Sequence, residues 1–232
     1  MIDTCTLTGL DDRTDLGRVE ALCAEYPFLE FGILLSRTPG DKDPRYPSWD
    51  ALVSMVERLA GKAHLALHVC GRAVGEFVEG ADDIDGLVSI GINRVQLNFM
   101  LRRSPFGIAD LDAAIARSTV SVITQHTVTN DVLAYALKAA NHHVLFDTSG
   151  GRGVEIAECR PPFTGKYTGY AGGMGPENVK EMASRVAAVS GGTPVWIDME
   201  SRLRTDGYLD MDRCAAVAAA VSPMVSSGNS GA

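Results

Sequence analysis

The sequence predicts an α/β protein, a single (β/α)8 TIM barrel. Three observations carry that prediction. Short apolar runs alternate with helix-like stretches from one end of the chain to the other, the pattern of parallel strands covered by helices. Eight such runs share 232 residues, or 232/8 = 29 residues per unit, short but compatible with this barrel. No linker rich in Pro, Gly or Ser interrupts the alternation. An open doubly wound sheet of similar size is the alternative architecture.

The predicted strands, in order, are Ile2–Leu7, Phe28–Leu35, Leu65–Val69, Arg94–Asn98, Val120–Gln125, His143–Asp147, Tyr167–Tyr170 and Val195–Asp198. Between the second and third lies WDALVSMVERLA, 49–60, with Leu52, Val53, Val56 and Leu59 at helical spacing. Ser48 before it is a suitable N-cap. Residues 130–140 and 177–189 read as helices by the same rule, and Pro176 suits a first helical turn. An Ala-rich helix is expected over 210–221. The barrel domain is expected over residues 1–225, and SSGNSGA at 226–232 is expected to be disordered.

Composition removes several function classes. Lys plus Arg is 21 and Asp plus Glu is 29, a net charge of −8. There is no dense Lys/Arg stripe for nucleic acid or an anionic membrane surface. No apolar run reaches the ~18 to 20 residues of a bilayer span. The first residues lack a basic start and an apolar signal core, so a cytoplasmic protein is expected. Five scattered cysteines without a CxxC pair argue against a disulfide framework and a structural zinc site. Most of them should be small buried hydrophobes.

In this fold, chemistry gathers at the carboxyl ends of the strands. The polar residues there are Cys5, His68, Gln96, Asn98, Gln125, His126, Asp147 and Asp198. Glycines follow at Gly150, Gly151, Gly153, Gly172 and Gly173. Asp147 closes an apolar strand and could serve as a general acid, or as a helix cap. Gly172 and Gly173, before Pro176 and Glu177, form either an anion-binding turn or a tight turn without ligand. Cys5 reads as a thiolate base or as a buried thiol. Arg45, in DPRYPS, could clamp a carboxylate or simply be a solvated loop residue.

Taken together, CTLTGLDD, DPRYPS, RVQLNF and YAGGMGPENV resemble, in order over nearly the whole chain, the phosphoribosylanthranilate isomerases of tryptophan biosynthesis. That family opens on a cysteine followed by Gly, an apolar residue and Thr, with an acidic residue seven positions after the cysteine. Cys5, Thr8 and Asp12 keep the spacing. Arg45, Tyr46 and Ser48 match its S-x-R-Y-[VI]-S loop; Val95, Gln96 and Leu97 match V-Q-L-H-G; and YAGGMGPENV follows L-A-G-G-L-x-P-E-N-V most closely. The resemblance implies an Amadori rearrangement of a phosphoribosyl amine, with Asp147 as general acid and Cys5 as general base. It implies that Arg45 holds the anthranilate carboxylate, that Gln96, Asn98 and Asp198 line the substrate site, and that Gly172, Gly173, Ser201 and Arg202 seat the phosphate. No metal or organic cofactor is implied.

Departures from the family are specific. Its opening lysine is Asp3 here, and the histidine and glycine of Q-L-H-G are Asn98 and Phe99. TSGGRG follows Asp147 at once, and the S-S-G of its phosphate loop is Glu200, Ser201 and Arg202. An aldolase, epimerase or lyase with a mixed metal site of His68, Cys70, His126 and Asp147 is a second expectation. A non-catalytic barrel that binds a phosphorylated ligand is a third. His142 and His143 should be structural at the opposite mouth, and Glu79–Asp85 a solvated face. A monomer and a homodimer fit equally well.

Overall fold

The structure, a computed structural model, describes residues 1–38, 43–127, 130–147 and 159–225. Eight parallel strands close into a barrel in chain order: β1 (Ile2–Leu10), β2 (Leu29–Ser36), β3 (His64–Cys70), β4 (Arg94–Asn98), β5 (Ser121–His126), β6 (His142–Asp147), β7 (Thr168–Ala171) and β8 (Val195–Met199). Closure pairs β8 with β1, with Thr6 opposite Asp198. The open-sheet alternative is thereby excluded. Around the barrel run α1 (Leu16–Glu25), α2 (Trp49–Leu59), α3 (Arg72–Glu79), α4 (Asp82–Ile90), α5 (Ile108–Arg117), α6 (Leu133–Ala136), α7 (Val179–Ser190) and α8 (Met211–Val221). A two-stranded hairpin of β9 (Arg204–Thr205) and β10 (Tyr208–Leu209) follows β8. The expected tail, 226–232, and Gly150, Gly151 and Gly153 lie outside the described residues.

Outward-facing strand residues such as Leu7, Phe31, Leu65, Val95 and Val144 are fully buried between sheet and helices, the interface that drives closure. Alternation along each strand sends the other set inward. Several of those inward residues are polar. Glu30 receives Arg94 Nε and Nη2 at 2.8 and 2.6 Å and Thr6 Oγ1 at 2.9 Å. The Arg94 guanidinium also lies over the Trp196 ring, 4.6 Å from its centroid. Gly169 makes room for that indole, since a Cβ there would fall 2.1 Å from Trp196. The middle of the inward face is thus filled by these side chains, and a cavity opens above them at the carboxyl mouth.

Several element boundaries differ from expectation. β1 runs three residues beyond Leu7. Ser48 caps α2 as expected, its oxygen accepting from the Ala51 amide. The helix expected over 130–140 shrinks to α6, because Asp112 of α5 captures the Lys138 and Ala139 amides at 2.7 and 2.9 Å. The helix expected from 177 starts at Val179. Asn178 holds the preceding turn instead, accepting from the Gly175 amide and donating to the Gly173 carbonyl, each at 3.0 Å. Asp82, Asp83 and Asp85 form the acidic first turn of α4, where they complement the positive end of the helix dipole, and Asp83 pairs with Arg37. His142 bonds Thr124 and Lys166, consistent with a structural role.

Candidate active site

A cavity of about 220 Å³ opens at the carboxyl mouth. It brings together Arg45, Gln96, Asn98, Asp147, Gly172, Gly173, Asp198, Ser201 and Arg202, with His68, Cys70 and Gln125 beside them. Nine of the ten residues expected at the site therefore share one space. The tenth does not. Cys5 is absent from the cavity wall and fully buried in the layer between sheet and helices, close to Cys214 of α8. Burial pushes its thiol well above the ordinary range, opposite to what a thiolate base needs. The expected convergence of Cys5 and Asp147 is corrected here. Because β1 extends to Leu10, Cys5 sits in mid-strand on the outward face, and the inward residues are Thr6 and Thr8.

Thr8 is the inward residue of β1 nearest the mouth, and its Oγ1 donates to Asp198 Oδ1 at 2.8 Å. The sequence reading did not single out Thr8; the alternation of a strand that continues past Leu7 places it inward beside Thr6.

The acidic side of the cavity is formed by Asp147, Asp198 and Glu200. Asp147 and Asp198 are nearly inaccessible, at 3% and 6%. Gln125 Nε2 reaches Asp147 Oδ2 at 3.5 Å. Burial pushes the Asp198 carboxyl up to about 7. The nearby charges of Glu30 and Asp147 add to that rise, and the Thr8 hydrogen bond and Arg94 oppose it. Burial also raises Glu200, while Arg45 counteracts, its Nη1 lying 3.5 Å from Glu200 Oε1. The negative charge of Glu200 is therefore met by Arg45 at the rim, and Arg45 is held on its other side by Asp43 at 3.1 Å.

The opposite wall is a chain of neutral hydrogen-bonding groups. Gln96 Nε2 lies 3.2 Å from His68 Nδ1 and 3.1 Å from Asn98 Oδ1, and Asn98 Nδ2 donates to Cys70 Sγ at 3.4 Å. An amide NH2 can only donate, so His68 Nδ1 accepts and the neutral ring carries its proton on Nε2. Burial pushes His68 down to about 4 and the Cys70 thiol up to about 11. Both are uncharged at neutral pH.

The loops after β7 and β8 supply the backbone side. Gly172 and Gly173 have φ of 142° and 58°, values a side-chain-bearing residue rarely adopts. Arg213 of α8 braces both loops. Its Nε donates to the Arg202 carbonyl at 2.6 Å, and its guanidinium pairs with Glu177. Neither Arg213 nor Asn178 was singled out from the sequence, since nothing local marks a residue that shapes a loop from a distant helix.

The metal arrangement expected as a second possibility is not assembled. His126 faces outward from β5, edge-on to Phe146 and Phe163, with Nε2 3.3 Å from Asp131. Among the described residues no group of three or more His, Cys, Asp or Glu is placed to hold a metal ion. Among the same residues no helix is long and apolar enough to cross a membrane.

Comparison with solved structures places the fold among known barrels. The phosphoribosyl anthranilate isomerase of Thermotoga maritima superposes with a TM-score of 0.64 at 18% identity, covering 96% of this chain and 100% of that one. The enzyme of the same name from Thermus thermophilus gives 0.62 at 16% identity, over 95% and 99%. The tryptophan synthase α subunit of Legionella pneumophila gives 0.59 at 12% identity, over 96% and 93%. No protein-family model matches the sequence, and no curated protein matches it significantly.

Proposed function

We propose that the chain is a diverged relative of the phosphoribosylanthranilate isomerases, an intramolecular isomerase of the aldose–ketose type. Its substrate in this reading is a phosphorylated ribosyl amine, and its reaction an Amadori rearrangement. The observation that carries the reading is one cavity in which a buried carboxyl, Asp147, faces a glycine turn with Ser201 and Arg202. Solved isomerases of that name share the barrel over nearly their full length. Glycine-backed amides and a guanidinium suit a phosphate, and the loops after strands seven and eight are the habitual phosphate seat of this fold.

In this reading Asp147 protonates the ribose ring oxygen as the C1′–O4′ bond breaks, which opens the furanose to a protonated Schiff base. Gln125 holds the Asp147 side chain in place. Gln96 and Asn98 offer hydrogen bonds to the sugar hydroxyls. Arg45 takes the acidic group on the amine substituent, exchanging its contact with Glu200 for that group. The prior engagement of Arg45 and the polar wall from His68 to Cys70 favour, as a second reading, an amine substituent more polar than anthranilate. The enzyme would act in the cytoplasm, as a monomer or a homodimer.

The test is a direct fluorescence assay of phosphoribosylanthranilate consumption, with Asp147→Asn alongside. Turnover by the wild type and a loss of roughly 10²–10⁴-fold in Asp147→Asn are expected. A wild type inert on this compound but active on another phosphoribosyl amine would select the second reading. Full activity of Asp147→Asn would end both.

A further inference from the structure

The isomerase reading needs a base for the C2′ proton, and Cys5 lies outside the cavity. We propose that Asp198 is that base and that Thr8 is its positioning residue; this inference rests on the isomerase reading above. Four observations converge on it.

The first is register. Asp147 of β6 pairs with Ala171 of β7, and Ala171 pairs with Asp198 of β8. The two carboxyl-bearing residues therefore stand at one level of the barrel, two strands apart, or about 10 Å along the sheet. In the sheet the residue between them is Ala171, with its small side chain. That spacing leaves a gap for a sugar ring with a carboxyl on either side.

The second is orientation. Thr8 Oγ1 donates to Asp198 Oδ1 at 2.8 Å. The seat of Thr8 is itself built by the neighbouring strand, because a Cβ at Gly32 would lie 2.5 Å from Thr8 Oγ1. Among the described residues Thr8 is the hydrogen-bond partner of Asp198, and the carboxyl lines the cavity.

The third is that, among the described residues, no cation forms an ion pair with Asp198. Arg94 acts on the Asp198 charge, but it is bound through two nitrogens by Glu30. The charged groups facing Asp198 are Glu30 from β2, Arg94 from β4, Asp147 from β6 and Glu200 beyond β8. Acids outnumber bases among them. The fourth follows from this setting: burial first, then those acids, lift the carboxyl to about 7, which leaves acid and base forms both populated at neutral pH, as a proton-transfer group requires.

The step balances without a co-reactant. Asp147 gives its proton to O4′ as the ring opens. Asp198 carboxylate removes the proton from C2′, the C–H pair becomes the C1′–C2′ double bond, and the iminium nitrogen takes up the displaced pair. The enolamine then becomes the ketose when its hydroxyl proton passes to Asp147 and the proton on Asp198 is delivered to C1′. Both carboxyls return to their starting states, and nothing is oxidised or reduced.

The experiment assays wild type, Asp198→Asn, Asp198→Glu and Cys5→Ser on phosphoribosylanthranilate, and on the same compound deuterated at C2′. Asp198→Asn is expected to lose roughly 10²–10⁴-fold in kcat with little change in KM. Asp198→Glu should recover part of the rate and show a larger C2′ isotope effect than wild type, because a displaced base slows C–H cleavage itself. Folding is followed by thermal melting of each variant, and Asp198→Asn should melt no lower than wild type. An active wild type with an active Asp198→Asn, or with Cys5→Ser as the dead variant, overturns the role of Asp198 and leaves the isomerase reading standing. A rise in KM alone, or an isotope effect unchanged in Asp198→Glu, also overturns it. An inert wild type overturns both.

Discussion

Glu30 and Asp198 are two carboxyl groups inside the same barrel, both nearly inaccessible, and their surroundings drive them in opposite directions. Burial alone would lift Glu30, but Arg94, held through two hydrogen bonds, and the Thr6 hydroxyl bring it below the ordinary carboxylate range. Asp198 has a threonine as well, but among the described residues no arginine paired to it, and it rises to about 7. A buried charge that is fully partnered is part of the scaffold. One left short of a partner at the mouth of a cavity is costly to the fold, and such costs gather where a group must change protonation state. The contrast separates the deep half of the barrel interior, where the buried charges are paired, from the mouth, where the described residues give Asp198 a hydroxyl and no paired cation.

The strongest attempt to break this contrast is Glu30→Gln. It leaves the Arg94 guanidinium buried without its counter-charge, and removing one partner of a buried pair typically costs about 3–5 kcal/mol. Chemical denaturation at pH 7 should show a loss of that size. A loss below about 1 kcal/mol would mean that Arg94 finds other compensation, such as the Trp196 ring beneath it, and the contrast between a paired interior and the mouth would fail.

Little of this pair could be read from the sequence. Glu30 and Arg94 are 64 residues apart, and neither carries a local mark of its partner. The barrel itself was legible because outward strand residues are apolar in runs, and Arg94–Asn98 was bounded correctly for that reason. The end of β1 was not, because its inward residues Thr6 and Thr8 and the following Gly9 look like the start of a turn. Polar residues aimed into a barrel imitate loop composition. That single misreading moved the mouth of the barrel from Thr8 to Cys5. The glycine turn and Asp147 were legible since they fall where strands end in apolar runs. Arg213 and Asn178 act on the turn through tertiary contacts, which no local pattern records.

Asp198→Asn sharpens the comparison from the other side. In the unfolded chain an aspartate titrates near 3.9, and in the fold near 7. Below about pH 4 both states hold the proton and the group is neutral in its effect. As pH rises toward 7 the unfolded chain ionises first, so folding stability falls, and above 7 the loss is complete. Three pKa units correspond to about 4 kcal/mol. Asparagine keeps an acceptor for Thr8 and has no charge to bury. The variant should therefore be more stable than wild type by about 2–4 kcal/mol at pH 8, and the difference should close toward pH 4. Denaturant melts at the two pH values measure it. An equal or lower stability at pH 8 would show that Asp198 is as well partnered as Glu30.

Cys5 offers the smallest and most diagnostic effect. It is fully buried on the outer face of β1 beside α8, one residue before Thr6 and three before Thr8, which both point the other way. Cys5→Ala removes one sulfur from the layer between sheet and helices, and the small void should cost about 1 kcal/mol. A steady-state assay of Cys5→Ala should give turnover within about twofold of wild type, since a sulfur behind the sheet exchanges no proton with a ligand in front of it. A severe loss of kcat with an intact melting temperature would require the thiol to reach the cavity. It would also require β1 to be rotated by one residue, which would turn Thr6 away from Glu30 and Thr8 away from Asp198. The geometry allows one face of β1 to serve the mouth, and the hydrogen bonds to Glu30 and Asp198 identify it as the threonine face.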